Sequence, residues 1–194
     1  SATYRQDSRA SAPLLARDPD NRLLARGPRH RLDAEGIRDN ALAVSGLLLH
    51  KIGGPSVYPY HPKGLWLELN NRPGLSRPYP HGKGEALFRR SLYTYWKRTV
   101  PPPSMATFDA PEREFCLVRR SRTNTPLQAF VLLHDPQFIE AARHLAAKMM
   151  AAAKDPEARI AHGFRIITAR APSDREQAIL QRLYAERLVF YKKD

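Results

Sequence analysis

Apolar residues at helical spacing first predict a regular element near residue 40. Its face consists of Ile37, Ala41, Val44 and Leu48, which lie three or four residues apart, as on one side of an α-helix. Asp33 is placed to cap this helix, and Glu35 lies in the first turn, where the helix dipole favours an acid. We expect a helix over 34–49, ended by the turn at Gly53-Gly54-Pro55.

Four more helices are predicted in the C-terminal half from local start signals. Thr125-Pro126-Leu127-Gln128 and Ser173-Asp174-Arg175-Glu176 are capping boxes, and Asp135-Pro136 and Asp155-Pro156 place proline directly after a capping acid. Apolar residues then recur at helical spacing. They are Phe138, Ala142, Leu145 and Met149 on one helix, Ile160, Phe164 and Ile167 on the next, and Ile179, Leu183 and Tyr184 on the last.

A further helix is predicted over 84–99. Its apolar positions are Leu87 or Phe88, Leu92 and Tyr95, and the prolines from Pro101 end it.

The sequence therefore predicts a mainly α fold, because alternation of β-branched residues is scarce. We expect a bundle of about five to six helices with a long loop packed across it. We interpret 1–194 as one domain, or as the C-terminal fragment of one. Its parts are an N-terminal arm (1–32), a helix (33–52), a long basic loop (53–83) and a helical core (84–194).

Composition narrows the class of protein. The 194 residues are 42% hydrophobic, enough for one folded core, and no run approaches the ~20 apolar residues of a membrane span. The single cysteine, Cys116, excludes an internal disulfide, and the absence of Cys-x-x-Cys-His excludes covalent attachment of a c-type haem. We expect no cofactor in this chain, and we expect Cys116 to be a small buried hydrophobe.

Charge concentrates in one part of the chain. The formal net charge is +13, and residues 51–104 hold nine Lys and Arg against Glu68 and Glu85, a local net of +7. Such an excess attracts anionic partners and is screened by salt. A solvated basic surface, or one facing acidic parts of a longer protein, is the alternative.

The long loop carries aromatic rings among its six prolines, and long loops of this kind are often functional. The rings offer flat faces for sugars or bases, and the cations offer contacts to anions. The candidate ligand-binding residues are Tyr58, Tyr60, Lys63, Trp66, Arg72, Arg77 and Tyr79, with Lys83 nearby. The ligand classes are an anionic polysaccharide or, less favoured, single-stranded nucleic acid. Alternatively, the rings pin the loop to the core.

A second candidate is a cluster of acids beside a cluster of arginines. The acids are Asp109, Glu112 and Glu114, and the arginines are Arg119, Arg120 and Arg122. Arginine pairs carboxylates bidentately, so the simplest interpretation is that these pairs tie an irregular segment to the bundle. A catalytic acid–base role or a calcium site is an alternative, and so is exposure without a role.

No complete catalytic motif is present, so the sequence leaves open whether the chain is an enzyme. None of the seven histidines has the i, i+4 spacing of a helical zinc pair, and HExxH is absent. Ser45 lacks the context of a nucleophile elbow, and Gly82-Lys83-Gly84-Glu85 does not complete a P-loop. No metal site is predicted from these motifs.

Several segments together resemble one known family. They are YTYWKRTVPPPSMATFDAPEREFCLVRRSRTNTPLQAFVLLHDPQFIEAAR from Tyr93, SATYRQDS from Ser1, DPDNRLLARGPRHRLDAEGIRD from Asp18 and GGPSVYP from Gly53. They resemble the PSD family, a planctomycete-type C-terminal domain of unknown function that accompanies cytochrome-c-like modules in long exported proteins. At His134 the family more usually carries asparagine, which counts against an essential histidine there.

Together with the missing start and the helix caps, the resemblance leads us to expect a non-catalytic or accessory module at the C-terminus of a larger extracytoplasmic protein. Its partners would be the upstream domains, and its ligand an anionic polysaccharide. Two alternatives remain: the chain completes a hydrolytic or redox active site with upstream domains, or it binds nucleic acid. The start at Ser1-Ala2-Thr3, without an initiator methionine, is expected of such a fragment.

Overall fold

The structure is a computed structural model that describes residues 5–28, 31–69 and 78–193. The chain divides into two compact units, Ser1–Leu32 and Asp33–Asp194. Over the described ranges the regular elements are helices, and only isolated β-bridges join extended segments. The mainly α fold predicted from the sequence is confirmed.

The first unit contains one short helix, α1 (Ala12–Arg17), whose first turn Ser11 caps. The buried carboxylate of Asp18 follows it and accepts hydrogen bonds from two backbone N–H groups, including that of Leu23. The hydrogen bond from Leu23 is the main cause that lowers the pKa of Asp18. The Arg26 guanidinium donates to the Asp18 carbonyl oxygen over 2.7 Å, which closes the turn.

The second unit begins with α2 (Ala34–Ser45), where the Asp33 carboxylate accepts from the Gly36 N–H, as predicted. The helix ends earlier than the predicted 34–49, because Gly46 adopts a left-handed conformation with φ of 83° and bonds back to Leu42 and Ala43. Glycine adopts this conformation without the clash that a Cβ causes.

The prediction of a helix over 84–99 is wrong. The segment forms two short 3₁₀ turns, Gly84–Leu87 and Ser91–Tyr93. Backbone groups that a helix would pair internally bond instead to distant residues: Arg38 donates to the Leu87 and Arg89 carbonyl oxygens, and the Ser91 N–H donates to Asp39. Tertiary partners thus override the local helical pattern.

The remaining helices follow their caps. The short α3 (Leu65–Glu68) and α4 (Pro103–Thr107) precede four longer helices, whose predicted starts are confirmed by capping boxes or capping carboxylates. These are α5 (Pro126–His134), α6 (Pro136–Ala152), α7 (Pro156–Thr168) and α8 (Asp174–Tyr191).

The core of the second unit lies where α2, α4, α5 and α6 meet. It consists of Ala34, Met105, Phe108, Ala110 and Phe138, with Ile37, Ala41, Trp96 and Val131 packed against it. The Phe108 and Phe138 rings meet edge to face, with centroids 6.3 Å apart. Beyond this core, α7 packs on α6 and α8 packs on α7.

The apolar face predicted on α8 is not buried. Ile179, Leu183 and Tyr184 are exposed, because α7 covers only part of this helix. Leu188, Val189 and Phe190 are exposed as well. Among the described residues, no helix combines the length and apolar character needed to cross a bilayer.

Candidate functional site

The described parts of the long loop are held by main-chain hydrogen bonds despite the prolines. Val57 donates its N–H to the Tyr93 carbonyl oxygen over 2.8 Å and accepts from the Tyr95 N–H over 2.8 Å. The buried Arg89 guanidinium donates to three carbonyl oxygens at the start of the loop. Arg89 therefore holds the backbone in place, although its charge is part of the net +7 of residues 51–104.

Gly82 closes the far end of the loop. Its N–H donates to the Tyr58 carbonyl oxygen over 2.7 Å, and a Cβ on Gly82 would lie only 2.7 Å from that oxygen. The backbone can approach this closely because residue 82 has no side chain.

Five rings, named here the aromatic cluster, pack together between these two ends. They are Tyr58, His61, Trp66, Tyr79 and Tyr95. Tyr58 stacks on Tyr95 with centroids 4.9 Å apart, His61 stacks on Tyr79 at 4.4 Å, and Trp66 meets Tyr79 edge to face at 5.1 Å. The Tyr79 hydroxyl donates to the Pro59 carbonyl oxygen over 2.7 Å, and burial raises the pKa of Tyr79.

Three of the predicted binding residues, Tyr58, Trp66 and Tyr79, belong to the aromatic cluster. Trp66 is only 8% exposed, and Tyr58 and Tyr79 are half-buried, so the cluster occupies most of their ring surface. Their packing on one another holds the described parts of the loop together. Tyr60 lies outside the cluster, and its hydroxyl donates to Glu140 on α6 over 3.0 Å.

Two cavities lined by described residues lie beside the loop, and the larger has a volume of about 450 Å³. It lies between loop residues 60–62 and the helices α4, α5 and α6. Its lining is mostly apolar and aromatic, with a few polar groups: Tyr60, His61, Pro62, Pro103, Ser104, Thr107, Phe130, Val131, His134, Asp135 and Pro136. Phe130 is 58% exposed, and its centroid lies 4.2 Å from that of the His134 ring.

The smaller cavity, of about 280 Å³, lies within the loop itself. It is lined by His61, Pro62, Lys63, Gly64, Trp66, Leu67, Pro78, Tyr79 and His81. His61 and Pro62 line both cavities and so form the wall between them. Arg72 and Arg77, which the sequence added to this site, lie outside the described residues.

His61 is the titratable group at the centre of the site. Its Nδ1 lies 3.2 Å from the Pro62 carbonyl oxygen, and since a carbonyl only accepts, Nδ1 carries the proton. Its buried Nε2 has no hydrogen-bond partner within the described ranges. Burial is the main cause that lowers the pKa of His61, so the imidazole is neutral at physiological pH.

Residues 1–184 match the model of a family described as PSD1, protein of unknown function (DUF1553). The chain belongs to the PSD1 family. The resemblance found in the sequence is thereby confirmed, and the family description assigns no activity. No curated protein and no solved structure matches the chain.

The acids and arginines predicted as a second site of this PSD1 domain have separate partners. The Asp109 carboxylate accepts from the Thr123 N–H and hydroxyl, and Arg120 pairs with Glu35 on α2 over 2.7 Å. Among the described residues, no ion pair joins Asp109, Glu112 or Glu114 to Arg119, Arg120 or Arg122. No group of three or more potential ligands is arranged there for a metal ion.

The segment around these acids is open to solvent. Glu112, Glu114, Arg119 and Arg122 are exposed, and so is Cys116, contrary to the prediction that it is buried. The reason is that 112–125 runs as an irregular surface segment, with Phe115 also exposed.

Sequence analysis missed most of the larger cavity, because eight of its eleven lining residues lie outside the loop. Phe130, Ser104 and Thr107 come from α4 and α5, which the loop-based prediction did not include. A signal was present, because seven of the nine residues of α5 (PLQAFVLLH) are apolar, more than one buried helix face needs.

Proposed function

We propose that this PSD1 domain is a non-catalytic binding module that recognises an acidic polysaccharide. It would act as an accessory part of a larger extracytoplasmic protein, next to upstream domains. The observation that carries the proposal is the larger cavity, in which the exposed Phe130 ring and the Tyr60 ring line a space of about 450 Å³.

The lining of this cavity suits a sugar. Binding pockets combine apolar and aromatic walls with a few polar groups that fix orientation. Phe130 and Tyr60 provide ring surface for the C–H faces of a pyranose. Ser104, Thr107 and Asp135 provide groups that hydrogen-bond hydroxyls. The Tyr60 ring is held in place by its hydrogen bond to Glu140, so its orientation is set before a ligand arrives.

Charge favours an acidic sugar over a neutral one. Lys63 lines the neighbouring cavity, and Lys83 and Arg98 are exposed elsewhere in the basic stretch. With a formal net charge of +13, the chain attracts polyanions and repels polycations. Such attraction raises the rate of association and weakens as salt screens it.

A hydrolytic site completed by upstream domains is the second candidate. One observation favours it: two groups with opposite pKa shifts line the larger cavity. Burial raises the pKa of Asp135 and lowers that of His61, and perturbed groups in a cleft are candidates for acid–base chemistry. The candidate acid–base residues of this second proposal are Asp135 and His61, in place of Asp109, Glu112 and Glu114, which the sequence suggested.

A titration with four ligands tests the proposal. The chain would be titrated with a heparin-like oligosaccharide, an oligoglucuronate, a neutral oligosaccharide and single-stranded DNA, each at two salt concentrations. We expect the two acidic glycans to bind, with affinity that falls steeply with salt. Preference for DNA, or equal binding of the neutral glycan, would overturn the assignment. Release of new reducing ends by a longer chain that also carries the upstream domains would favour the hydrolytic candidate.

A further inference from the structure

The lining of the smaller cavity is mostly apolar, and its polar groups include hydrogen-bond donors and one lysine. Lys63 contributes an ammonium group, and His61 and His81 contribute imidazoles that gain a second N–H when protonated. The described lining residues of this cavity include no carboxylate.

Within the described ranges, the surroundings of Trp66 hold unpaired positive groups. The Trp66 side chain is buried, and its Nε1–H has no acceptor among the residues the structure describes. Buried indole N–H groups are usually hydrogen-bonded. The Lys97 ammonium lies 4.4 Å from the centroid of the same indole, which adds positive charge at this ring.

One acidic side chain, that of Glu68, lies close to the smaller cavity. The Glu68 carboxylate, at the end of α3, is 3.5 Å from the position that a Cβ would occupy on Gly64, and Gly64 lines the cavity. Glu68 therefore opposes an anion there, while Lys63 attracts it. Because Lys63 and Glu68 have opposite charges, removing the first should weaken binding of an anionic ligand and removing the second should strengthen it.

We propose that the smaller cavity is the subsite for the acidic group of the polysaccharide. This inference rests on the proposed function, because the two cavities share the wall formed by His61 and Pro62. A sugar unit held against Phe130 in the larger cavity places its neighbour at the smaller one. There, a carboxylate or a sulfate pairs with the Lys63 ammonium.

The experiment compares an oligoglucuronate with the same oligosaccharide after reduction of its carboxyl groups, by calorimetric titration of the whole chain. Lys63→Gln should weaken binding of the oligoglucuronate roughly fivefold, the size of one exposed ion pair. It should leave binding of the carboxyl-reduced oligosaccharide unchanged. Glu68→Gln should strengthen binding of the oligoglucuronate, and Lys154→Gln, at an exposed lysine outside both cavities, should change neither.

A sulfated oligosaccharide distinguishes the two sources of negative charge. Lys63→Gln should weaken its binding as well, if sulfate enters the same subsite. The subsite is wrong if the oligoglucuronate binds the wild-type chain but Lys63→Gln and Glu68→Gln both leave its affinity unchanged. That outcome leaves the larger cavity intact as a binding site. Absence of binding to the wild-type chain instead overturns the proposed function, and the subsite with it.

Discussion

Arg38 on α2 donates from Nε to the Oε1 atom of Gln137 on α6 over 2.8 Å, and both side chains are buried. The same guanidinium donates to the carbonyl oxygens of Leu87 and Arg89, at 2.7 and 2.8 Å. Burial lowers the pKa of Arg38, although Asp39 partly offsets this. One arginine thus joins two helices to the irregular segment that follows the long loop.

Replacement of Arg38 should strongly destabilise the domain. Arg38→Met removes the donor for two carbonyl oxygens and for Gln137, and buried acceptors without a donor are costly. We expect a loss of about 3–5 kcal/mol in the free energy of unfolding, measured by denaturant titration. Arg143→Met, at an exposed position on α6, is the control and should change stability by about 0.5 kcal/mol or less. A loss below ~1 kcal/mol for Arg38→Met would contradict this role.

The ion pair between Arg120 and Glu35 should contribute little. It is bidentate, with contacts of 2.7 and 3.2 Å, but the two side chains are 39% and 23% exposed. Solvent screens such pairs, so a double-mutant cycle with Arg120→Gln and Glu35→Gln should give a coupling energy of about 0.2–1 kcal/mol. A coupling above ~2 kcal/mol would show that the pair is a principal tie between α2 and the 112–125 segment.

Acidification should destabilise the domain through His61. Because burial lowers its pKa in the folded state, the folded chain binds this proton less readily than the unfolded chain does. Stability contributed by neutral His61 is therefore present above a pH of about 6.5 and is lost as the pH falls below that value. The titratable and charged groups that share its cavities are Tyr60, Lys63, Tyr79, His81, His134 and Asp135.

Thermal unfolding between pH 7.5 and pH 5.5 measures this effect. The midpoint of the wild-type chain should fall more than that of His61→Gln over this range. Burial raises the pKa of Asp135, which has the opposite sign: its folded form binds a proton more readily, so its contribution grows as the pH falls. Asp135 is present in both proteins, so its contribution cancels when the wild-type chain is compared with His61→Gln. If the unfolding midpoint depends equally on pH in the two proteins, the role of His61 is contradicted.

Local signals in the sequence were sufficient for the C-terminal helices. The capping boxes at Thr125 and Ser173 and the capping acids Asp135 and Asp155 lie within a few residues of the groups they cap. Their information is contained in a short window, so the sequence alone locates these helix starts.

Tertiary partners explain what the sequence could not predict. The segment 84–99 has a helical pattern, but its carbonyl groups bond to Arg38, which is about 50 residues away in the chain. Arg38 could not be identified as a buried residue from the sequence. A charged residue on a helix normally indicates the side that faces solvent, yet Arg38 on α2 is buried.

The candidate site could also be predicted only in part from the sequence. The sequence identified the aromatic residues of the loop, but ring faces used for packing cannot be distinguished from ring faces open to a ligand without the fold. Trp66 is buried in the aromatic cluster, whereas Phe130, which the sequence analysis did not select, is exposed at the larger cavity.

Phe130→Ala measured against Phe190→Ala tests the central claim most directly. The two rings are equally exposed, at 58% and 57%, but only Phe130 lines the larger cavity. Stacking on an aromatic ring contributes about 1–3 kcal/mol in nucleic-acid complexes, so Phe130→Ala should weaken binding of the oligoglucuronate at least fivefold while both variants keep the wild-type unfolding midpoint within a few degrees. If both variants bind the oligoglucuronate as tightly as the wild-type chain does, the larger cavity is not the polysaccharide site.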